Sequence, residues 1–299
     1  MAPRLVPTAG GSMQIRQALR SAISDLQAAD TPSATLAAEL LLMHALGRDR
    51  AYLYTNPEIA LPPETVERYF KLVAERATGK PTQYITGHQE FWGLDFEVTP
   101  DVLIPRPETE HLVETALELA RAESSEKRLQ RIVDVGTGSG CIALALASEL
   151  PEALILGIDI SRAALNVARR NARRLGLSDR VYFVQSDLLI CLGVGTALDV
   201  VVSNPPYVGS NELDRVQREV REFEPQVAWG GVGRGDEIYA KLFAQAREVL
   251  RPQGRVCVEV GYNQAQIVTK MLNTGWMEVG VRPDLAGIPR VVMAQKSGQ

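Results

Sequence analysis

From Ile132 to the C terminus, short apolar runs alternate with stretches of helical period, and that alternation leaves few folds open. Strand-like runs fall at 131–135, 153–158, 181–185, 198–203, 254–260, 276–281 and 290–295. Helical patterns fall at 140–150, 162–175, 212–223, 237–250 and 264–273. The largely apolar run Leu198-Asp199-Val200-Val201-Val202-Ser203 reads as a buried strand. Strands that alternate with helices in this way build a doubly wound, mostly parallel α/β sheet of Rossmann-like type, here with seven strands. Such sheets bind ligands outside the carboxyl ends of their strands, so the residues that follow each run are the place to look for chemistry.

The first run leads into Asp134-Val135-Gly136-Thr137-Gly138-Ser139-Gly140. Gly136 permits a tight turn, Gly138 lets a ligand approach the backbone, and Gly140 permits close helix–strand contact. The spacing is G-x-G-x-G, not the dinucleotide G-x-G-x-x-G. Asp159 ends the second run, about 20 residues after the loop, where an acid binds ribose hydroxyls in nucleoside-binding folds. Its competing role is to cap the helix that starts near Ser161. Asp187, in Ser186-Asp187-Leu188 at the end of the third run, suits either an adenine amino group, with the Leu188 backbone beside it, or a second helix cap. NAD and S-adenosylmethionine both satisfy this set.

The fourth run ends in Asn204-Pro205-Pro206-Tyr207. Proline has no N–H, so Pro205 and Pro206 offer carbonyl acceptors and no donors. The Asn204 side chain adds an acceptor oxygen and Tyr207 a flat ring. Such a turn suits a planar NH2 group, whose two hydrogens it accepts while the nitrogen stays open to attack. A nicotinamide enzyme has no use for that clamp, whereas a methyl donor needs a nitrogen held in line with its S–CH3 bond. The balance therefore moves to S-adenosylmethionine.

Composition narrows the partners. A net charge of -4 over 299 residues provides no global basic field for a nucleic-acid backbone, although a local basic patch stays open. Cys141, Cys191 and Cys257 are odd in number and widely spaced, which fits neither a metal site nor a disulfide framework. Cys141 and Cys257 read as buried thiols, in keeping with a reducing cytoplasm. His44, His88 and His111 are scattered and give no support to zinc or His-based triad chemistry. No apolar run reaches the roughly 18 residues of a membrane span.

Upstream the pattern is helical. The first twelve residues contain Pro3, Arg4, Pro7, Gly10 and Gly11 and no acid; they read as a start ahead of a folded part beginning at Met13, with an organelle-targeting segment as the alternative. Ile15, Ala18, Leu19, Ala22, Ile23 and Leu26 form one apolar stripe. A second helix fits 31–46, capped by Thr31, with Pro32 in its first turn and Gly47 closing it. A short helix fits 50–54, and a longer one fits 63–77, with Val66, Tyr69, Phe70, Val73 and Ala77 inward and Gly79 ending it. Residues 1–85 thus form a helical unit that serves substrate recognition or support. Residues 86–108, with Gly87, Phe91, Trp92, Gly93, Phe96 and Val98, form a hairpin linker, and 109–299 form the catalytic domain. Pro105 and Pro107 forbid regular helix across 104–109, so the next helix runs from near Thr109 to Ala122, followed by a polar connector at 124–131. Phe91 and Trp92 read as hairpin core before site wall. Arg106 and Glu108 read as an ion pair that fixes the linker. The helix at 212–223 carries Leu213, Val216, Val220 and Phe223 as its apolar stripe. Glu259 reaches the ligand end of the sheet with no role that the sequence assigns.

Together these segments resemble the HemK/PrmC family, the glutamine N5-methyltransferases of peptide chain release factors. The likeness is carried by Gly87-His88-Gln89-Glu90-Phe91-Trp92-Gly93, by Ile104-Pro105-Arg106-Pro107-Glu108-Thr109-Glu110, by Asp134 to Ala143, by the turn at 204–207 and by Gly287-Ile288-Pro289-Arg290. It runs through nearly all of the chain. The turn alone is shared with enzymes that methylate amino groups of DNA and RNA; the segment at 104–109 is far more particular to this family. The resemblance implies a class I S-adenosyl-L-methionine-dependent methyltransferase sheet behind a helical bundle and a hairpin. It implies cofactor contacts from Gly136, Thr137, Gly138, Ser139 and Gly140, with Asp159 on the ribose and Asp187 and Leu188 beside the adenine. It implies that Asn204, Pro205, Pro206 and Tyr207 hold the glutamine of a Gly-Gly-Gln loop of class-1 release factors, with Asn204 also bordering the cofactor. No membrane and no direct nucleic-acid partner is expected. Leu188 departs from the aromatic residue common at that place, and 228–236 varies the family's glycine-rich loop, so neither adenine stacking nor loop contacts carry over.

The chemistry this implies is direct in-line methyl transfer to an amide nitrogen. The Asn204 oxygen and the Pro205 carbonyl would stabilise charge developing on that nitrogen, and Tyr207 would pack on the amide plane. The competing functions are a nucleic-acid amino-methyltransferase acting on adenine or guanine, for which the same clamp would serve a flipped base, and a binding protein that keeps the fold without catalysis.

Overall fold

The computed structural model describes residues 13–122, 129–231 and 233–298, which divide into two units. One unit holds the described residues up to Gly87 together with Arg218–Phe223, and the other holds His88–Gln217 and the chain from Glu224 onward. The readings for the first twelve residues and for most of the 124–131 connector lie outside the described residues.

In chain order the helices are α1 Ile15–Ala28, α2 Ala34–Leu46, α3 Arg50–Thr55, α4 Pro63–Ala77, α5 Thr82–Thr86, α6 Glu110–Ala122, α7 Cys141–Glu149, α8 Arg162–Arg174, α9 Arg218–Phe223, α10 Gln226–Trp229, α11 Glu237–Val249 and α12 Ala265–Met271. The strands are β1 His88–Phe91, β2 Leu94–Glu97, β3 Arg131–Val135, β4 Leu154–Asp159, β5 Val181–Gln185, β6 Leu198–Ser203, β7 Leu250–Glu259, β8 Trp276–Pro283 and β9 Pro289–Lys296.

The helical unit buries the stripe that its sequence displays. Ile15, Ala18, Ala22 and Leu26 of α1 meet Leu41 and Leu42 of α2 and Tyr69 and Val73 of α4. Two details differ from the sequence reading. Helix α2 starts at Ala34, not at Pro32, because the Thr31 N–H donates to the Leu26 carbonyl at 2.9 Å and so closes α1. The expected single helix over 212–223 is broken into a 3-10 stretch, Ser210–Arg215, and α9, with Val216 extended between them. No proline or glycine dictates that break. The 3-10 stretch is held by the Ser210 N–H on the Gly233 carbonyl at 2.9 Å. Helix α9 belongs to the helical unit, where the buried Arg76 guanidinium meets Glu219 Oε1 at 2.5 Å.

In the second unit the strand order is β5-β4-β3-β6-β7-β9-β8. Strands β5, β4, β3, β6 and β7 run parallel, and β9 joins antiparallel between β7 and β8. The chain steps outward from β3 through β4 to β5, then returns to lay β6 on the other side of β3. That reversal is the topological switch point, where open α/β sheets bind their ligands. Helices α6 and α7 share one core with β3 and β6, and α11 and α12 cover the other face. Strand β6 is buried at every residue, Asp199 included, whose Oδ1 pairs with Arg251 Nε at 2.7 Å. The β1–β2 hairpin is tied in by the buried Asn171 of α8. Its Nδ2 donates to the Glu97 and Ser139 carbonyls at 3.0 and 2.9 Å, while its Oδ1 accepts from the Glu97 N–H at 2.8 Å. Phe91 lies in the core, and the Trp92 Nε1–H donates to Glu149 at 3.2 Å; neither walls the cavity described below. Cys257 is buried, Cys141 is partly so, and Cys191 is exposed.

Candidate active site

The glycine loop takes its shape from backbone that only glycine adopts without strain. Gly136, Gly138 and Gly140 have φ of 75°, 54° and 84°. The Gly136 and Thr137 N–H groups both donate to the Ile158 carbonyl, at 2.8 and 2.9 Å, which pins the loop against β4. Gly157 lets that strand pass, since a Cβ there would lie 2.7 Å from Phe183 Cδ1 and 2.9 Å from Thr137 Oγ1. Gly140 allows the close approach of a helix, not of a strand: a Cβ there would meet Ala168 of α8 at 3.2 Å.

Two carboxylates brace the loop. Asp134 is fully buried; its Oδ2 accepts from Thr137 Oγ1 at 2.6 Å and from the Ala143 N–H at 3.2 Å. Its Oδ1 has no hydrogen-bond partner among the described residues, and burial pushes the acid up to about 7. Asp159 Oδ2 accepts from the Gly138 N–H at 2.9 Å, and Oδ1 accepts from the Ser161 N–H at 2.8 Å. Burial raises this acid as well. The side-chain cap of α8 is Ser161, whose Oγ accepts from the Ala164 N–H at 3.2 Å. Asp159 therefore shapes the loop end of β4 and is not the capping residue.

The turn after β6 is held from several directions. Asn204 Nδ2 donates to Thr109 Oγ1 at 3.1 Å, and Thr109 Oγ1 donates to Glu259 Oε2 at 2.7 Å. The Tyr207 hydroxyl donates to Glu259 Oε1 at 3.3 Å. Gln264 Nε2 donates to the Tyr207 carbonyl at 2.8 Å, so that carbonyl is engaged within the protein. Gly230 and Gly235 follow from close backbone packing: a Cβ on Gly230 would strike the Val208 carbonyl, and one on Gly235 the Tyr207 carbonyl. Burial raises the Glu259 acid, opposed by Thr109 and by the Arg290 charge. Arg290 is itself held by Asp284 Oδ2 at 3.0 Å in the turn that contains Gly287 and Pro289.

Both features open into one cavity. Its wall includes Gly136, Thr137, Gly138, Ser139, Asp159, Asp187, Leu188, Asn204 and Pro206. It also takes in Pro105, Arg106 and Thr109 from the segment before α6, and Val227, Ala228 and Ile238 from beyond the turn. A cradle of backbone at positive φ beside a strand-end acid suits the nucleoside and amino-acid parts of S-adenosylmethionine.

Comparison with known proteins agrees with this geometry. A profile of the PrmC N-terminal domain matches residues 17–87, and a methyltransferase domain profile matches residues 126–279. A release factor glutamine methyltransferase of Koribacter versatilis is 50% identical over 284 residues, covering 95% of this chain and 99% of that protein. One from Nitratidesulfovibrio vulgaris is 40% identical over 294 residues, covering 97% and 98%. This chain belongs to the release factor glutamine methyltransferase family. Among solved structures, the hMettl16 catalytic domain in complex with MAT2A 3'UTR hairpin 6 shares the fold, with a TM-score of 0.55 at 18% identity over 76% of this chain and 82% of that one.

For a release factor glutamine methyltransferase, four residues named from the sequence lie differently from the rest. Gly140, Pro205 and Tyr207 are not part of the cavity wall: Pro205 is buried, and Tyr207 turns its hydroxyl to Glu259. Arg106 does line the cavity, but its ion pair is with the buried Glu224, at 2.5 Å, not with the exposed Glu108. A carboxylate buried that deeply requires a countercharge, which the sequence spacing of Arg106 and Glu108 does not reveal. Sequence reasoning assigned no role to Asp134, Thr109, Glu259 or Gln264. The available signal was a charged residue at the carboxyl end of an apolar strand, which both Asp134 and Glu259 display.

Proposed function

We propose that this chain methylates the side-chain amide nitrogen (N5) of the glutamine in the Gly-Gly-Gln loop of class-1 peptide chain release factors, using S-adenosylmethionine. One observation carries the reading: in a chain half identical to a release factor glutamine methyltransferase, the glycine cradle after β3 and the Asn204 turn after β6 open into a single cavity. When bound, the cofactor supplies an electrophilic methyl group on a sulfonium. Amide nitrogen is a poor nucleophile because its lone pair is delocalised, so the protein must align it and stabilise the positive charge that develops on it. Asn204 Oδ1 is a fixed dipole at the cavity wall for that purpose. Gly136 to Ser139 and Asp159 position the donor, which makes the transfer effectively unimolecular. The helical unit serves release-factor recognition, and the cytoplasm, where translation ends, is the compartment this activity calls for.

The test is mass spectrometry of release-factor peptides after incubation with the full chain and S-adenosylmethionine, with DNA and rRNA as parallel substrates. One added methyl on the Gly-Gly-Gln glutamine is the expected result. Methylated nucleic acid with unmodified release factor would overturn the reading in favour of a nucleic-acid enzyme.

A further inference from the structure

Glu259 and Thr109 lie 150 residues apart in the chain. Both are 2% exposed. Thr109 ends the 3-10 stretch Pro107–Thr109, where its N–H donates to the Arg106 carbonyl at 3.0 Å. Glu259 ends β7, two strands from β3. Their side chains meet under Asn204.

A threonine hydroxyl has one proton, and an ionised carboxylate only accepts. With Glu259 ionised, the form that Thr109, Tyr207 and the Arg290 charge favour against its burial, and Thr109 Oγ1 2.7 Å from Oε2, that single proton lies between them. Thr109 can then only accept from Asn204, so the amide half facing it at 3.1 Å is the NH2. The carboxamide is planar, and pinning Nδ2 aims Oδ1 away from Thr109. The flipped amide would set two oxygens against each other with no proton between them. The second carboxylate oxygen is engaged by the Tyr207 hydroxyl, so Glu259 holds both ends of the same turn.

We propose that Thr109 and Glu259 are positioning residues that set the polarity of the Asn204 carboxamide, so that Oδ1 and not the NH2 group is presented to the glutamine amide. This rests on the proposed glutamine methyltransfer. It adds that the acceptor character of the turn is imposed from outside the turn. A flipped Asn204 would direct a donor at the substrate's own donor and repel it.

The experiment is single-turnover methyl transfer to release factor with wild type, Thr109→Val, Thr109→Ser and Asn204→Ala, and with Thr109→Val combined with Asn204→Ala. Detection of methylglutamine with wild type establishes the underlying reaction separately; its absence would sink the functional reading, not this inference alone. Thr109→Val keeps the shape and removes the hydroxyl. Its expected effect is a rate loss of about 10–100-fold with S-adenosylmethionine Kd near wild type, because one fixed dipole is lost from the transition state; Tm falls as well, since the buried Glu259 Oε2 loses its donor. Thr109→Ser should restore most of the rate. In the Asn204→Ala background, Thr109→Val should change the rate less than about twofold, since residues acting through one another are non-additive. Wild-type rate in Thr109→Val would overturn the proposal, as would the same fold loss in both backgrounds. Should Thr109→Val lose cofactor binding, Thr109→Ala takes its place in the same cycle under the same criteria.

Discussion

The glycine loop after β3 and the turn at 204–207 after β6 lie on neighbouring strands, yet they are held by different means. The loop is built from backbone: glycines at positive φ, N–H groups on the Ile158 carbonyl, and braces from the strand ends at Asp134 and Asp159. The turn is built from side chains that arrive from Thr109, Glu259 and Gln264. A site that works by close backbone approach can be encoded where it stands. A site that must aim a single carboxamide needs rigid partners, and those come from elsewhere in the chain.

The largest break in that comparison should come at the turn. Asn204→Ala should lower kcat by about 10²–10³-fold while S-adenosylmethionine affinity changes far less. Rapid-quench assays with labelled cofactor measure both, and turnover at the wild-type rate would remove Asn204 from the chemistry. Asp159→Ala should act in the opposite sense, weakening cofactor binding by about 10–100-fold through lost charged hydrogen bonds, with a smaller effect on kcat at saturating cofactor. Calorimetry showing unchanged affinity would contradict it. Gly157→Ala should destabilise by about 1–3 kcal/mol, because the added methyl is driven into Phe183 and the underside of the loop at Thr137. Denaturant titration reads that loss, and wild-type stability would show that the loop rests on β4 less tightly than its geometry indicates.

The smallest effect is a pH slope. Burial raises Asp134 from its ordinary value near 3.8 to about 7. Between those values the folded state holds a proton that the unfolded state has released, so unfolding releases it and stability falls as pH rises. The contribution is fully present below the unfolded value and lost as pH passes the folded one. Asp134→Asn should flatten this part of the cofactor-free Tm profile between about pH 4 and pH 7. An unaltered slope would assign it to Glu259 or Asp159, which burial shifts in the same direction.

Much of this architecture was legible along the chain. The stripe of Ile15 to Leu26 and the pattern of α4 are set by local period, and the burial of Ile15, Ala18, Ala22 and Leu26 and of Tyr69, Phe70 and Val73 follows it. Gly47 closes α2 at φ 63° for the same local reason that made it readable. The misreadings have two causes. Thr31 looked like a helix cap but closes the preceding helix; Leu213 to Phe223 looked like one stripe but serves two units; Arg106 found a partner at Glu224. In the last two a long-range contact overrode a sound local preference; at Thr31 one local hydrogen bond, to Leu26, won over another.

Sequence alone determined the element types, the doubly wound sheet, the glycine cradle and the place of the acceptor turn, because periodicity, φ preference and the missing N–H of proline act within a few residues. Tertiary structure decided which groups brace the cradle, which charge neutralises Glu224 and which way the Asn204 amide faces. The last depends on where one hydroxyl proton goes. That is settled only when Thr109 and Glu259, 150 residues apart, are folded to within hydrogen-bond distance.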